Sequence, residues 1–231
     1  MSETFAIEAL GEDALLLRLG ETLDEDLNLR VHALADQIAR HAPAWVLDIV
    51  PAFASLAICF DPLAFASDVD PCQAARSWLN GLDLQQAQSR ERLDARLHEI
   101  PVRYGGEFGP DLEAVAEHCQ LEPAEVIRRH AAAIYRVGML GFAAGFPYLL
   151  GMDAGLATPR RATPRTRVAA GSVGIGGVQT GIYPREGPGG WQIIGRTAFC
   201  LFDHLRDPPA IVGPGDRVRF IDATLDERDA R

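Results

Sequence analysis

The second half of this chain is interrupted by glycine and proline at short intervals. From Tyr135 onward, brief apolar runs alternate with turn residues. Many short strands separated by turns are typical of a β-barrel, so we predict a barrel for this region. The predicted strands are Tyr135–Leu140, Val168–Ala170, Gly181–Tyr183, Trp191–Ile194, Ala198–Phe202 and Arg217–Ile221.

The segment before these strands predicts one strand and two helices. Residues from His98 to Tyr104 alternate in polarity, as a half-buried strand does. Helices are expected over Leu112–Cys119 and Pro123–Ala132, the second with proline in its first turn. Together with the later strands they define a predicted domain over residues 98–225, an all-β barrel with a helical insertion.

Residues 1–84 predict a small α+β domain with the element order β-β-α-β-β-α. Thr22 and Glu25 fit a capping box at the start of its first helix, and Pro43 ends that helix. Pro71 begins the second helix. Residues 85–97 are rich in glutamine and charged side chains, so we predict a linker between the two domains there.

The overall charge of the chain is acidic. Its 231 residues include 22 lysines and arginines and 32 aspartates and glutamates, a formal net charge of −10. This balance argues against a nucleic-acid or anionic-membrane partner. No signal peptide or membrane-length apolar run is evident, so a cytoplasmic location is expected. The dispersed cysteines and histidines predict no metal site.

Positive charge nevertheless concentrates in one stretch of the second half. Arg160, Arg161, Arg165 and Arg167 precede a glycine-rich segment at 171–177. Guanidinium groups beside exposed backbone N–H groups suit a carboxylate or a phosphate, so the stretch predicts an anion site. It has neither the P-loop lysine nor the βαβ setting of a dinucleotide fingerprint. The alternative is a solvated basic loop followed by a glycine-rich turn.

A second glycine-rich segment, at 138–155, contains Phe142, Phe146 and Tyr148. Its glycines permit close approach of the backbone, and its aromatic side chains are able to wall a pocket. The other interpretation is a tight corner of the barrel with aromatic residues in the core, and the sequence alone favours that corner.

Candidates for proton transfer are less distinctive. His130 lies at the end of a predicted helix that leads into the glycine-rich region. The carboxylates considered with it are Glu107, Asp111 and Asp153. A single histidine on a helix is more often structural than catalytic. No nucleophile elbow, zinc-protease or kinase signature is present, so Ser172 is interpreted as a hydrogen-bond donor.

Several ordered blocks of the sequence resemble one protein family. The chain is similar to the KipI family, also called allophanate hydrolase subunit 1 or the 5-oxoprolinase B subunit (PxpB). The resemblance runs from about Gly11 to Phe220, nearly the whole chain. The blocks that carry it are Ile100–Val102, Tyr104–Leu112, Gly141–Phe142, Gly145–Leu149, Ala170–Ile175, Gln179–Pro184 and Pro188–Trp191.

The resemblance implies an N-terminal α+β domain and a cyclophilin-like β-barrel. It also implies that the chain is the B subunit of an ATP-dependent 5-oxoprolinase, which opens 5-oxo-L-proline to L-glutamate. The implied partners are a KipA- or PxpC-like protein and a PxpA-like protein, with ATP as co-substrate and Mg²⁺ at a subunit junction. Two alternatives are a carboxyltransferase-type subunit of a urea carboxylase or allophanate system, and a KipI-like histidine kinase inhibitor.

The motif matches also imply roles for individual residues. The arginines and the glycine-rich segment would hold a phosphate or the substrate carboxylate, and the Gln-Thr pair would orient the substrate amide. His130, helped by Glu107, is the expected catalytic group for proton transfer. The implied binding residues are Arg165, Arg167, Gly171, Ser172, Gly174, Gly176, Gln179 and Thr180.

Overall fold

A computed structural model describes residues 5–82, 84 and 95–223. The polypeptide divides into two compact units, Met1–Leu93 and Asp94–Arg231. Most of the predicted linker at 85–97 lies outside the described residues, as does residue 225, the predicted end of the second domain. No helix within the described residues is long and apolar enough to cross a membrane.

The first unit is an antiparallel sheet that packs against two helices. Its strands follow the order β1-β2-β4-β3, and their apolar faces bury Leu15, Leu17, Leu56 and Ile58 completely. The observed element order confirms the predicted α+β class. The elements are β1 (Ala6–Ala9), β2 (Ala14–Arg18), α1 (Glu25–Arg40), β3 (Val46–Pro51), β4 (Ser55–Phe60), a 3₁₀ helix (Pro62–Ala64) and α2 (Pro71–Asn80).

Helix α1 begins one residue after Asp24, and the predicted capping box is wrong. Oδ1 of Asp24 accepts a hydrogen bond of 2.7 Å from the backbone N–H of Leu27. An aspartate at this position satisfies the first-turn donors that Thr22 was expected to satisfy. Helix α2 begins at Pro71, as predicted.

The second unit is built on a closed barrel of seven strands in the order β10-β7-β6-β13-β5-β12-β9. Neighbouring strands are antiparallel, except that β13 and β5 are parallel. The barrel confirms the predicted fold class. The strands are β5 (Leu97–Tyr104), β6 (Ile134–Leu140), β7 (Pro147–Leu150), β8 (Arg165–Val168), β9 (Ser172–Gly176), β10 (Gln179–Ile182), β11 (Gly187–Gly189), β12 (Gln192–Arg196) and β13 (Arg217–Asp222), of which β8 and β11 pair with each other outside the barrel.

Side chains fill the interior of this barrel. Val102, Tyr135, Leu149, Ile175 and Phe220 are among its buried core residues. Helices α3 (Leu112–Cys119) and α4 (Pro123–Ala132) lie between β5 and β6 in the chain, with the bounds that the sequence predicts, and pack against β12 and β13. Because a small barrel with a filled interior leaves no room for a ligand inside, we looked for a site on its outer face.

Two strand predictions differ from the structure. The expected strand at Ala198–Phe202 is wrong, since only Phe202 takes part in a bridge, to Ala210. Strand β9 occupies the segment that the sequence analysis interpreted as a glycine-rich loop or turn. Glycine is usually unfavourable within a strand, but here large aromatic rings pack against it, as described below.

Candidate functional site

The glycine-rich segment 171–177 contains a central barrel strand. Strand β9 pairs with β10 on one side and with β12 on the other, so the two ladders use its backbone N–H groups. Gly171 lies just before the strand, and its N–H donates to the carbonyl of Tyr183 at 2.7 Å. The structure therefore contradicts the predicted cradle of exposed N–H groups. The cradle residues concerned are Gly171, Ser172, Gly174 and Gly176.

The two arginines predicted to hold the anion are already paired with carboxylates of this chain. Arg165 binds the buried Asp111 through both terminal nitrogens, at 2.7 and 2.8 Å. Arg161 donates to the same carboxylate at 2.9 Å. Arg167 is 77% exposed and pairs with Glu186 at 2.7 Å. These ion pairs do not favour the predicted roles of Arg165 and Arg167 in binding a ligand.

Asp111 anchors this cluster as a counter-ion. Its carboxylate also accepts a hydrogen bond of 2.7 Å from the backbone N–H of Ile193. Burial by itself would raise the pKa of Asp111. The hydrogen bonds from Arg165 and Ile193, with the charges of Arg165 and Arg161, outweigh burial and hold this pKa below its usual range. The carboxylate is therefore charged at neutral pH.

His130 lies fully buried in the barrel core. Its Nδ1 is 2.8 Å from the hydroxyl of Tyr104, and its Nε2 is 3.0 Å from the hydroxyl of Thr180. Thr180 donates its own proton to the carbonyl of Gly174, so Nε2 carries the imidazole proton and Nδ1 accepts from Tyr104. Burial lowers the pKa of His130 to about 3, so the ring is neutral at physiological pH.

This geometry argues against proton transfer by His130 and Glu107. Both ring nitrogens of His130 are occupied inside the barrel, whereas Glu107 is exposed on the loop between β5 and α3. Thr180 is also fully buried, where its hydroxyl bridges His130 and the backbone, away from any substrate amide. The three residues stabilise or flank the barrel in this structure.

Gln179 has a position that suits ligand binding. Side chains alternate along a strand, so Gln179 faces the outside of the barrel while the neighbouring Thr180 faces inward. The residue is 8% exposed, and its amide Nε2 has no hydrogen-bond partner within the described part of the chain. A buried donor without a partner costs about 1–3 kcal/mol, which an acceptor on a ligand would recover.

An aromatic pocket of about 200 Å³ lies on the outer face of the barrel. Gly176, opposite Gln179 in the ladder, supports one wall, because a Cβ at Gly176 would lie 2.6 Å from the indole ring of Trp191. Gly181 similarly leaves space for the ring of Phe146. We define the aromatic pocket by its side chains Phe142, Phe146, Tyr148, Tyr183 and Trp191, with Arg160 and Arg161.

Arg160 gives this pocket a cationic group. Its guanidinium lies 5.9 Å from the centroid of a Trp191 ring, and it forms no ion pair within the described residues. Arg161 also lines the pocket, and two arginines on Asp111 leave a net positive charge there. The arrangement is suited to a small anion whose apolar part packs on the aromatic rings.

Sequence reasoning identified the right segments but selected the wrong side chains. Phe142, Phe146 and Tyr148 line a pocket, although the favoured interpretation was a core corner. Trp191 was missed as a pocket wall because it was assigned only to a strand. Arg160 belongs to the predicted basic cluster, and its lack of a nearby carboxylate becomes visible only in the fold.

Two curated relatives cover nearly the whole chain. One is the 5-oxoprolinase B subunit of Bacillus subtilis (strain 168), 42% identical over 99% of this chain and 96% of that protein. Its namesake in Escherichia coli O157:H7 is 40% identical over 92% of this chain and 93% of that protein. This chain belongs to the family of 5-oxoprolinase B subunits. Residues 5–212 of this family member also match the family described as carboxyltransferase domain, subdomain C and D.

Solved structures agree with the assignment to the family of 5-oxoprolinase B subunits. TTHA0988 is 39% identical with a TM-score of 0.75 over 91% of this chain, which spans 40% of TTHA0988. The uncharacterized protein PH0987 from Pyrococcus horikoshii is 45% identical with a TM-score of 0.56, covering 96% of this chain and 99% of PH0987. The K. lactis urea amidolyase, 22% identical with a TM-score of 0.74 over 99% of this chain and 15% of that protein, shares the fold.

Proposed function

We propose that this chain is the B subunit of an ATP-dependent 5-oxoprolinase complex that opens 5-oxo-L-proline to L-glutamate. The observation that carries the proposal is the identity of 40% and 42% to two proteins of that name, over at least nine tenths of each partner. The other members of the complex in this proposal are a KipA- or PxpC-like protein and a PxpA-like protein. The chain is a non-autonomous part of the hydrolase.

The proposed reaction activates a lactam. Resonance makes the amide carbonyl of 5-oxoproline a poor electrophile. Transfer of the γ-phosphoryl group of ATP to the amide oxygen forms a better electrophile and releases ADP. Water then adds to this carbon, the C–O bond to phosphate breaks, and cleavage of the C–N bond opens the ring to glutamate. Positioning and charge neutralisation supply most of the catalysis of such a phosphoryl transfer.

In this proposal the aromatic pocket binds 5-oxoproline. The substrate carboxylate pairs with Arg160, and the five-membered ring packs against Trp191 and its aromatic neighbours. The amide Nε2 of Gln179, buried beside this wall and without a partner, donates to the lactam oxygen. A volume of about 200 Å³ is below the roughly 300–1,000 Å³ of sites for drug-sized ligands, so the pocket suits a small substrate.

ATP does not fit the residues that the sequence analysis assigned to its phosphates. The N–H groups of the glycine segment belong to the barrel ladders, and Arg165 is committed to Asp111. The aromatic pocket is also too small for a nucleotide. We therefore derive no contact of ATP or Mg²⁺ from those residues.

Co-expression tests the proposed function. The chain, purified together with its PxpA-like and PxpC-like partners, is expected to release glutamate from 5-oxoproline only when ATP is present. The isolated chain is expected to be inactive. Glutamate formation by the isolated chain would contradict its dependence on partners, and an assembled complex without ATP-dependent activity would contradict the assigned reaction.

A second candidate is a carboxyltransferase subunit of a urea carboxylase. It is favoured by the matched family description and by the fold shared with the K. lactis urea amidolyase. This function needs a biotin carrier and a biotin carboxylase as partners. Carboxylation of urea by the assembled complex, with no turnover of 5-oxoproline, would select this candidate.

A further inference from the structure

A second cavity, of about 690 Å³, lies on the outer face of the barrel over β5 and β12. Its volume is within the roughly 300–1,000 Å³ typical of ligand sites. We define the arginine pocket by Arg103, Phe108, Arg196 and Thr197, which line it. Among the described residues that line this cavity, two carry guanidinium groups and none carries a carboxylate.

The two arginines of this pocket face each other across a strand pair. Arg196 on β12 is directly opposite Arg103 on β5 in the antiparallel register. Like charges in this arrangement destabilise the pair of strands. Both guanidinium groups lie over the ring of Phe108, at 5.4 and 5.2 Å from its centroid, which offsets part of the repulsion. Arg196 forms no ion pair within the described residues.

The loop that carries Phe108 is fixed against β12. The N–H of Gly105 donates to the carbonyl of Ile194 at 3.0 Å, and the N–H of Gly109 donates to the carbonyl of Gly105 at 2.9 Å. Gly109 packs so closely that a Cβ there would lie 2.0 Å from the carbonyl oxygen of Ile194. These contacts hold the ring beside both guanidinium groups, so the pocket is formed before a ligand binds.

We propose that the arginine pocket binds the phosphate group of a small molecule. The planar donor forks of two guanidinium groups match the oxygens of a phosphate, which would neutralise their mutual repulsion. The buried hydroxyl of Thr197 accepts from the N–H of Phe199 at 3.0 Å and still has its own proton to donate. The cavity is large enough for the rest of the ligand as well.

Calorimetric titration of the full chain at low ionic strength tests this inference without measuring the hydrolase reaction. Tripolyphosphate and ATP are expected to bind, and adenosine is not. Tighter binding of ATP than of tripolyphosphate would identify the ligand as a nucleotide, whereas equal affinities would identify the phosphate group as the whole determinant. Absence of binding by both phosphate compounds, or binding of adenosine as tight as that of ATP, would overturn the inference.

Matched arginine variants locate the binding. Arg196→Gln is expected to weaken tripolyphosphate binding on the order of tenfold, the loss of one charged hydrogen-bond donor. The control is Arg219→Gln on the neighbouring strand β13, where Arg219 pairs with Glu99 at 3.2 Å; it is expected to change the affinity by less than about twofold. Equal weakening in both variants, or none in Arg196→Gln, would contradict the assigned site.

Thermal unfolding supplies a second readout that does not need a binding constant. Without a ligand, Arg196→Gln is expected to unfold at the same temperature as the native chain or at a higher one, because the variant removes a like-charge contact. Tripolyphosphate is expected to raise the Tm of the native chain but not that of Arg196→Gln or Arg103→Gln. An equal rise in all three proteins would overturn the proposal.

Discussion

Two arginine pairs on the same barrel differ in what neutralises them. Arg161 and Arg165 share the buried carboxylate of Asp111, at distances of 2.7–2.9 Å. Arg103 and Arg196 oppose each other across two strands, beside a cavity whose described lining has no carboxylate. The first pair holds structure together, and the second is suited to an external anion. A cluster of positive charge therefore indicates a ligand site only when the fold brings no carboxylate to it.

The counter-ion in the first pair is distant in the sequence. Asp111 precedes Arg161 by 50 residues and Arg165 by 54, and the barrel brings the three together. In contrast, Arg196 and Arg103 meet only because β12 lies beside β5. No spacing rule along the chain reveals either arrangement, since both depend on which strands become neighbours.

The largest expected effect follows from removing the shared carboxylate. Asp111→Asn keeps the side-chain size but leaves two arginines without their counter-charge and places an amide donor beside guanidinium donors. Breaking a buried ion pair costs roughly 3–5 kcal/mol, so we expect a loss of about this size in the free energy of unfolding. Urea denaturation at neutral pH measures it.

Glu186→Gln is the matched control for that variant. It removes the partner of Arg167 in an ion pair where both side chains are at least half exposed, and such pairs contribute about 0–1 kcal/mol. Similar losses in the two variants would break the distinction between a buried and an exposed partner. A loss confined to Asp111→Asn would sharpen it.

A third polar centre, at His130, extends the comparison to a group with only internal partners. Its pKa is about 3 in the folded chain and near 6.5 in the unfolded chain. Between these values only the unfolded chain binds the proton, so the stability falls as the pH decreases from 6.5, by up to about 1.4 kcal/mol per pH unit from this residue. His130→Gln, which cannot titrate, is expected to show a shallower fall.

The measurement is the free energy of unfolding of both proteins between about pH 7 and about pH 5, above the range in which most carboxylates titrate. Parallel curves for the native chain and His130→Gln would mean that His130 titrates normally and is accessible to water. That result would restore the sequence interpretation of His130 as a residue able to transfer protons.

Elements with strong local signals were predicted from the sequence. The bounds of α3 and α4 agree with the structure, because proline and apolar spacing define them locally. Strand β9 was interpreted as a loop because of its glycines. The reason for Gly176 is the indole ring of Trp191, which packs where a Cβ would lie, and this requirement arises only in the folded barrel.

The candidate site was predicted in outline and corrected in detail. The basic cluster, the aromatic segment and Gln179 all adjoin the aromatic pocket or its walls. The assignment of roles failed where burial decides, as at His130, and where a distant carboxylate decides, as at Arg165. Both depend on tertiary contacts and not on residue type.

Kinetics of the assembled complex test the central claim, that the aromatic pocket holds the substrate carboxylate through Arg160. With Arg160→Gln in the chain, we expect the KM for 5-oxoproline to rise about tenfold, or about 1.4 kcal/mol, with little change in kcat. Arg167→Gln, whose side chain is paired on the surface, is expected to leave KM unchanged. An unchanged KM in Arg160→Gln, or an equal rise in both variants, would contradict the account.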